Sequence, residues 1–286
     1  MTVRDIVNES TKALEAIDSP SAKLDAEVLL SFCLSCNRLE FYKNPVMTVS
    51  ETKLAIFRKL LARRLQWEPV AYITGRKEFW TFTLEVDSSV LIPRPDTEII
   101  VEETLDIYRN FNSLPVRILD IGTGSGAIAL ALAYEIADAK VVATDISQAA
   151  LNLAKKNAAS LGLHEKIDFR PGNLFEPVDG LFDIIVSNPP YIAATEYEEL
   201  PLGVKFFEPR DALLAGVSGL EFYEKLISQA AAYLKKNGWL LLEIGAKQEA
   251  GVRRILEAAG NYDSIKMRRD YAGLPRVIKA RRKVSG

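Results

Sequence analysis

The segment that most constrains this chain begins at Val116. Val116-Arg117-Ile118-Leu119-Asp120 is a short β-branched run that passes directly into Ile121-Gly122-Thr123-Gly124-Ser125-Gly126, and an apolar helical pattern follows from Gly126 to Ile136. A strand that turns through closely spaced glycines into a helix brings backbone N–H groups and the positive end of a helix dipole up to a ligand, with no β-carbons in the way. A second strand, Val141-Val142-Ala143-Thr144-Asp145, ends in an acid where α/β proteins accept hydrogen bonds from ribose hydroxyls. Together the two segments predict a nucleoside-containing cofactor on an open α/β sheet.

Two cofactor classes fit the loop. Gly122-x-Gly124-x-x-Ala127 satisfies the relaxed dinucleotide fingerprint of NAD or FAD. Asp120-x-Gly122-x-Gly124-x-Gly126 resembles instead the S-adenosylmethionine loop of class I methyltransferases. Asp120 favours the second, because a carboxylate suits the ammonium of a methionine moiety and repels a pyrophosphate.

The surrounding pattern agrees with an α/β class. After Lys140 to Asp145, a helix is predicted over 149–161, strands over 167–170 and 182–187, a helix over 220–234 and a strand over 238–244. A helix over 248–258 and short strands near 265–267 and 277–280 complete the alternation, which predicts a parallel sheet with helices on both faces. Upstream, residues 1–74 carry helical periodicity alone: Val3, Ile6, Val7, Leu14 and Ile17; then Leu24, Val28, Leu29 and Phe32, with Ser19 or Ser21 as cap; then Leu54, Phe57, Leu60, Leu61 and Leu65 behind Ser50. Residues 75–95 read as a β-hairpin linker centred on the strand-like run Phe79 to Val86, in which Trp80 and Phe82 are expected to be core. Pro93 and Pro95 then hold the backbone extended ahead of a helix over 98–109 capped by Asp96 or Thr97. The expected division is a helical bundle over 1–74, the linker over 75–95 and a cofactor-binding domain over 96–286.

The strand Phe182 to Ser187 ends at Asn188-Pro189-Pro190-Tyr191. Ligands of open α/β sheets bind beyond the carboxyl ends of the strands, which directs this tetrapeptide to the cofactor site. Its chemistry suits a planar nitrogen with two hydrogens, an amide or an exocyclic amine. The Asn188 side-chain oxygen and the Pro189 carbonyl each accept one N–H, and the prolines fix the backbone. Both bonds strengthen as the nitrogen becomes tetrahedral, which lowers the barrier selectively. Tyr191 is expected to pack its ring on the target group.

Composition narrows the setting. Among 286 residues, 36 Lys+Arg stand against 38 Asp+Glu for a net charge of -2, so the basic excess of a broad nucleic-acid surface is missing and no nucleic-acid partner is expected. Met1 to Ser10 has early acids and no apolar stretch, so no signal peptide is expected there. With no apolar run long enough to span a bilayer and only Cys33 and Cys36 as cysteines, a cytoplasmic monomer is expected, the pair serving as structural residues. His164, the one histidine, is expected at the surface, and no metal is expected. Arg63-Arg64 and Arg281-Arg282-Lys283 read as solvated charge runs, the second as a frayed tail.

Over nearly its whole length the chain resembles the HemK/PrmC family, the protein-(glutamine-N5) methyltransferases of class 1 peptide-chain release factors. The resemblance lies in Ser19-Pro20 with Leu24-Asp25-Ala26-Glu27, in Glu68 to Gly75, in Glu78-Phe79-Trp80 and in Ile92-Pro93-Arg94-Pro95-Asp96-Thr97-Glu98. It continues through the glycine loop, Asn188-Pro189-Pro190-Tyr191, Glu208 to Leu213, Gly219 to Tyr223, and Asp270-Tyr271-Ala272-Gly273. Asn-Pro-Pro-Tyr is shared with adenine-N6 methyltransferases, which remain the alternative; the Pro-Arg-Pro-Asp-Thr-Glu segment is the more selective feature.

The resemblance implies a class I methyltransferase fold, S-adenosylmethionine as methyl donor with S-adenosylhomocysteine as product, and the glutamine of a release-factor Gly-Gly-Gln motif as acceptor. It implies that the helical region docks the factor. It implies cofactor contacts from Asp120, Ile121, Gly122, Thr123, Gly124, Ser125, Gly126, Asp145, Ile146, Asn173, Leu174 and Asn188, and acceptor contacts from Asn188, Pro189, Pro190 and Tyr191. The chain departs from the pattern at Gly172-Asn173-Leu174-Phe175, where relatives often carry an acid and then an aromatic. Asn173 can still bond an exocyclic amine, and Leu174 offers packing without stacking.

Overall fold

The computed structural model describes residues 1–110 and 115–284. It divides into two compact units: Met1–Arg76 with Pro201–Phe207, and Lys77–Leu200 with Glu208 onward.

The first unit is helical: α1 (Val3–Glu15), α2 (Ala22–Leu34), α3 (Leu39–Lys43), α4 (Glu51–Leu65) and α5 (Val70–Thr74), joined by a later segment, Pro201–Phe207. Thr2 and Asp5 form a capping box on α1, and the Ser50 hydroxyl caps α4 by accepting from Lys53 N. The apolar stripes meet in a core of Val3, Ile6, Leu29, Leu30, Phe41, Leu54 and Phe57. Cys33 is buried there, its Sγ donating to the Lys53 carbonyl at 3.1 Å, and Cys36 is half-buried.

Neither Ser19 nor Ser21 caps α2 through its side chain. Both hydroxyls donate to the Asp25 carboxylate, at 3.0 and 2.8 Å, and Arg64 Nε donates to it at 2.8 Å. Arg64 is therefore not part of a solvated run. Its side chain and that of Asp25 are both 9% exposed, while its neighbour Arg63 pairs with Glu68 nearer the surface. This explains the resemblance around Ser19 and Asp25 physically: a buried ion pair needs its remaining lone pairs filled, and the two serines fill them.

The second unit opens with a hairpin, β1 (Arg76–Phe79) and β2 (Phe82–Glu85). The aromatic run expected as one strand is folded back on itself at Trp80, which takes φ +56°. Phe79 and Leu84 enter the main core of this unit, with Trp80 and Phe82 packed against it. Asn157, almost fully buried, holds the hairpin: its Oδ1 accepts from Glu85 N and its Nδ2 donates to the carbonyls of Glu85 and Ser125.

A seven-stranded sheet forms the body. In chain order the elements are α6 (Glu98–Tyr108), β3 (Arg117–Ile121), α7 (Ala127–Glu135), β4 (Lys140–Asp145), α8 (Gln148–Ser160), β5 (Ile167–Pro171) and β6 (Phe182–Ser187). The short pieces β7 (Ile192–Ala193), α9 (Ala194–Glu198) and β8 (Leu214–Gly216) follow, with α10 (Leu202–Phe207) of the first unit between α9 and β8 in the chain. The chain then completes the sheet with α11 (Glu221–Tyr233), β9 (Leu234–Glu243), α12 (Glu249–Ala259), β10 (Tyr262–Arg269) and β11 (Pro275–Arg282). The order across the sheet is β10-β11-β9-β6-β3-β4-β5. The five strands from β9 to β5 are parallel, whereas β11 is antiparallel to both β9 and β10. The wholly parallel sheet is thus corrected at its end. Only Asp270–Leu274 separates β10 from β11, too short for the crossover that parallel pairing requires.

Arg281 and Arg282 lie in β11 rather than in a frayed tail; Arg281 pairs with Asp263 at 3.0 Å. His164 stands at the surface beside Glu165. One apolar cluster covers each sheet face, the first drawn from α6, α7 and the sheet, the second from α11, α12 and the sheet. No helix among the described residues is long and apolar enough to cross a membrane.

Strands β3, β4 and β5 run outward in one direction, while β6 starts again on the other side of β3. Two loops leaving neighbouring strand ends in opposite directions open a crevice at the carboxyl ends of β3 and β6.

The Asp25–Arg64 pair yields a stability prediction. Arg64→Ala strands a buried carboxylate and lowers stability by about 3–5 kcal/mol. Arg63→Ala, at a partly exposed pair, costs under about 1 kcal/mol. Urea unfolding of the two variants beside the parent measures both; equal losses would contradict the assignment of the buried pair.

Candidate functional site

At that crevice lies a cavity of about 430 Å³. Its floor is the turn after β3. Gly122, Gly124 and Gly126 have φ of +74°, +56° and +86°, the left-handed region that side chains disfavour. Gly126 is constrained twice, since a β-carbon there would stand 3.0 Å from Leu130 and 3.2 Å from Ala154. The loop is stitched to the end of β4: Gly122 N and Thr123 N both donate to the Thr144 carbonyl at 2.9 Å, and Gly124 N donates to Asp145 Oδ2 at 2.8 Å. Ile121, Gly122, Thr123, Gly124 and Ser125 line the cavity, with Asp145 and Ile146 beside them and Asn173 and Leu174 beyond. Leu174 is itself in the left-handed region at φ +49°.

Two expected cofactor residues stand behind this wall. Gly126 opens α7 beneath the loop. Asp120 is fully buried, so it does not face the cavity as the sequence suggests. Its Oδ2 accepts from the Thr123 hydroxyl at 2.7 Å, which fixes the loop from below, and its Oδ1 is buried without a partner. Burial pushes Asp120 up to about 7, against the lowering effect of Thr123 and the Ala129 N–H, with Asp145 adding to the rise. Burial raises Asp145 too, opposed by the N–H groups of Ser147, Gly124 and Ile146.

The opposite wall is the end of β6. Asn188, Pro189 and Pro190 line the cavity. Asn188 Nδ2 donates to Thr97 Oγ1 at 3.2 Å. Tyr191 is absent from the cavity wall, contrary to the expected ring contact with a ligand: its ring packs beside Gly245 and against the α11–α12 core. Burial, with Glu243 nearby, pushes its phenol up to about 12. Its backbone matters more, because Gln248 Nε2 donates to the Tyr191 carbonyl at 2.8 Å and so holds the end of the turn.

The segment from Ile92 to Glu98 contributes a third wall, through Pro93, Arg94 and Thr97. Glu208, buried, accepts from Ile92 N at 3.1 Å and from Arg94 Nη2 at 2.5 Å. Arg276 bridges Asp96 at 3.1 Å and Asp270 at 3.0 Å. Three segments far apart in sequence are thereby locked together. Thr97 does not cap α6 with its side chain; the hydroxyl serves Asn188 instead.

Sequence reasoning missed Glu243 and Gln248, met Glu208 and Thr97 within segments of the resemblance, and gave Thr97 no role of its own beyond a cap and Glu208 none. Glu243, almost fully buried at the end of β9, carried a signal in retrospect: a lone acid in the run Leu240-Leu241-Leu242-Glu243-Ile244. Burial pushes it up to about 7, against lowering by Thr97 and Arg276.

Comparison with known proteins agrees with this geometry. The PrmC N-terminal domain model matches residues 5–75, and the methyltransferase small domain model matches residues 107–220. A release factor glutamine methyltransferase of Rhodopirellula baltica is 39% identical over 282 residues, 97% of this chain and 95% of the relative. One from Koribacter versatilis is 38% identical over 287 residues, 100% of each chain. The crystal structure of a methyltransferase from Pyrococcus furiosus superposes with TM-score 0.52 at 21% identity, over 70% of this chain and 88% of that one, which speaks to the fold. A glycine loop and an Asn-Pro-Pro turn facing one cavity, on a chain aligned end to end with such relatives, lead to one conclusion: it belongs to the release factor glutamine methyltransferase family.

Proposed function

We propose that the protein transfers a methyl group from S-adenosylmethionine to the side-chain amide nitrogen of the glutamine in the Gly-Gly-Gln motif of class 1 release factors. The observation that carries this reading is one cavity that joins the glycine loop and Asp145 to Asn188, Pro189 and Pro190. The first set suits a nucleoside cofactor and the second a planar nitrogen with two hydrogens.

S-adenosylmethionine supplies an electrophilic methyl group on a sulfonium leaving group. The loop from Ile121 to Ser125 would hold its methionine part, Asp145 and Ile146 its ribose, and Asn173 and Leu174 its adenine. The donor set fits a cation: Asp120 places a carboxyl group directly beneath the loop, and the cavity wall includes Asp145.

Asn188 and Pro189 act on the acceptor. An amide lone pair is delocalised, so the nitrogen attacks only as it becomes tetrahedral. Oδ1 of Asn188 and the Pro189 carbonyl each accept one of its hydrogens, and these bonds tighten as the hydrogens become acidic. On transfer the nitrogen–carbon bond would form as the donor's sulfur–carbon bond breaks, with S-adenosylhomocysteine as the leaving group, and one amide hydrogen would pass to solvent as a proton. Tyr191 contributes through its backbone, which Gln248 holds, and not through its ring. The helical region, 1–74 by the sequence reading, holds the protein substrate, and the reaction takes place in the cytoplasm, where release factors act.

Incubation with radiolabelled S-adenosylmethionine, a purified class 1 release factor, the same factor with Gly-Gly-Ala, and double-stranded DNA tests the assignment. Label is expected on the intact factor alone, and Asn188→Ala should reduce it by about 100-fold or more. Label on DNA and not on the factor would replace glutamine with adenine as the acceptor.

Asp120 gives a pH prediction. Its pKa near 7 is raised by burial, so the free protein holds it largely neutral below that pH and ionised above. A cationic cofactor favours the ionised form, so its affinity should rise as pH increases through about 7. Calorimetric titration with S-adenosylmethionine from pH 6 to 8 measures this. Asp120→Asn should flatten the profile; an unchanged slope in that variant would assign the dependence elsewhere.

A further inference from the structure

We infer that Thr97 and Glu243 are positioning residues that set which end of the Asn188 amide faces the acceptor nitrogen. The inference rests on the role proposed above for Asn188.

An asparagine side chain presents a donor at one end and an acceptor at the other, and half a turn about its last bond exchanges them. Catalysis by Asn188 needs the acceptor, Oδ1, toward the substrate. What holds it that way is the neighbour of the other end. Asn188 Nδ2 donates to Thr97 Oγ1 at 3.2 Å, and Thr97 is buried. A hydroxyl can accept from Asn188 or donate to it, so this contact alone does not choose a direction. Glu243 makes the choice.

The sheet puts Glu243 in place. In the parallel pairing of β6 with β9, Ser187 stands opposite Leu242, so the next residues along, Asn188 and Glu243, emerge side by side. Glu243 is 1% exposed, the Thr97 side chain lies close enough to favour its ionised form, and its Oε2 is buried with no hydrogen-bond partner. An ionised carboxylate only accepts. It therefore takes the one hydrogen of Thr97, leaves the Thr97 oxygen as an acceptor, and draws Nδ2 of Asn188 toward it. The chain of donors runs one way, Asn188 to Thr97 to Glu243, and Oδ1 is left for the cavity.

Protonation reverses the argument. A neutral Glu243 can donate to Thr97, whose own hydrogen is then free to seek Oδ1 of Asn188, and the amide loses its bias. The groups that face Glu243 include Arg276 from β11, Asp96 and Arg94 from the segment before α6, Tyr191 after β6 and Tyr223 of α11. Burial outweighs the two arginines, and the group titrates near 7. The acid form is present below that pH and the orienting carboxylate above it.

The test uses the full chain with a class 1 release factor and saturating S-adenosylmethionine. Thr97→Val keeps the shape and removes the hydroxyl; Thr97→Ser keeps the hydroxyl. Thr97→Val should lower kcat by about 10- to 100-fold, and Thr97→Ser should stay within about threefold of the parent. The calorimetric Kd for S-adenosylmethionine should change far less than kcat in Thr97→Val. The parent's kcat should fall as pH drops through about 7, and Glu243→Gln should remove that acid limb. Equal activity in the two Thr97 variants, or an acid limb intact in Glu243→Gln, would overturn the inference. A parent inactive on the release factor would instead overturn the functional reading beneath it. Should Glu243→Gln fail to fold, the Thr97 pair still decides.

Discussion

The parallel register of three adjacent strands is the constraint from which the rest of this site follows. Ile121 of β3 pairs with Ser187 of β6, and Ser187 pairs with Leu242 of β9. The Ser187 hydroxyl reinforces the alignment by donating to the Ile121 carbonyl at 2.7 Å. One residue further along each strand stand Gly122, Asn188 and Glu243. A shift of one residue in either pairing would turn alternate side chains to the opposite sheet face and separate the three. Backbone hydrogen bonds deep in the sheet, rather than contacts among the site residues, therefore set the separation of the glycine loop from the Asn-Pro-Pro turn.

Around that row the polar groups form a frame. Glu208 grips the backbone of Ile92 and the guanidinium of Arg94, while Arg276 joins Asp96 to Asp270. Of the three carboxylates that receive these bonds, Glu208 and Asp270 are withdrawn from water, while Asp96 is half exposed. The backbone N–H groups of Leu274 and Ala272 also hold Asp270, and with Arg276 they lower its pKa. An ionised group buried in this way is tolerated only while its partners are in place. The frame therefore makes the geometry of the Pro-Arg-Pro-Asp-Thr segment depend on two distant stretches of chain. That dependence gives a physical reason for the three motifs to occur together.

Much of this was legible in the sequence, for identifiable reasons. Glycines at 122, 124 and 126 sit between a β-branched run and an apolar helix, and few structures use that pattern. The acid at the end of β4 and the tetrapeptide at the end of β6 announce themselves by position, since strand ends are readable from the apolar runs before them. What escaped the sequence depends on pairing. Arg64 reads as one of two surface arginines until α4 is laid against α2, where Asp25 meets it. Trp80 reads as mid-strand because nothing local marks its left-handed turn. Tyr191 reads as a ring facing substrate because its neighbours do, yet the turn packs it, partly buried, against the core. Glu243 lies in a run of leucines whose destination, beside Asn188, only the strand order reveals.

Asn157 has a consequence for the glycine loop. From the inner face of α8 it bonds both backbone groups of Glu85 and the carbonyl of Ser125. A side chain outside the cavity wall thus fastens the glycine loop to the hairpin. Glycine-rich turns are the segments with the most conformational freedom to lose when a ligand arrives. Because Asn157 restrains this one beforehand, that ordering is completed when the chain folds, and the entropy of a loop becomes a property of a buried helix.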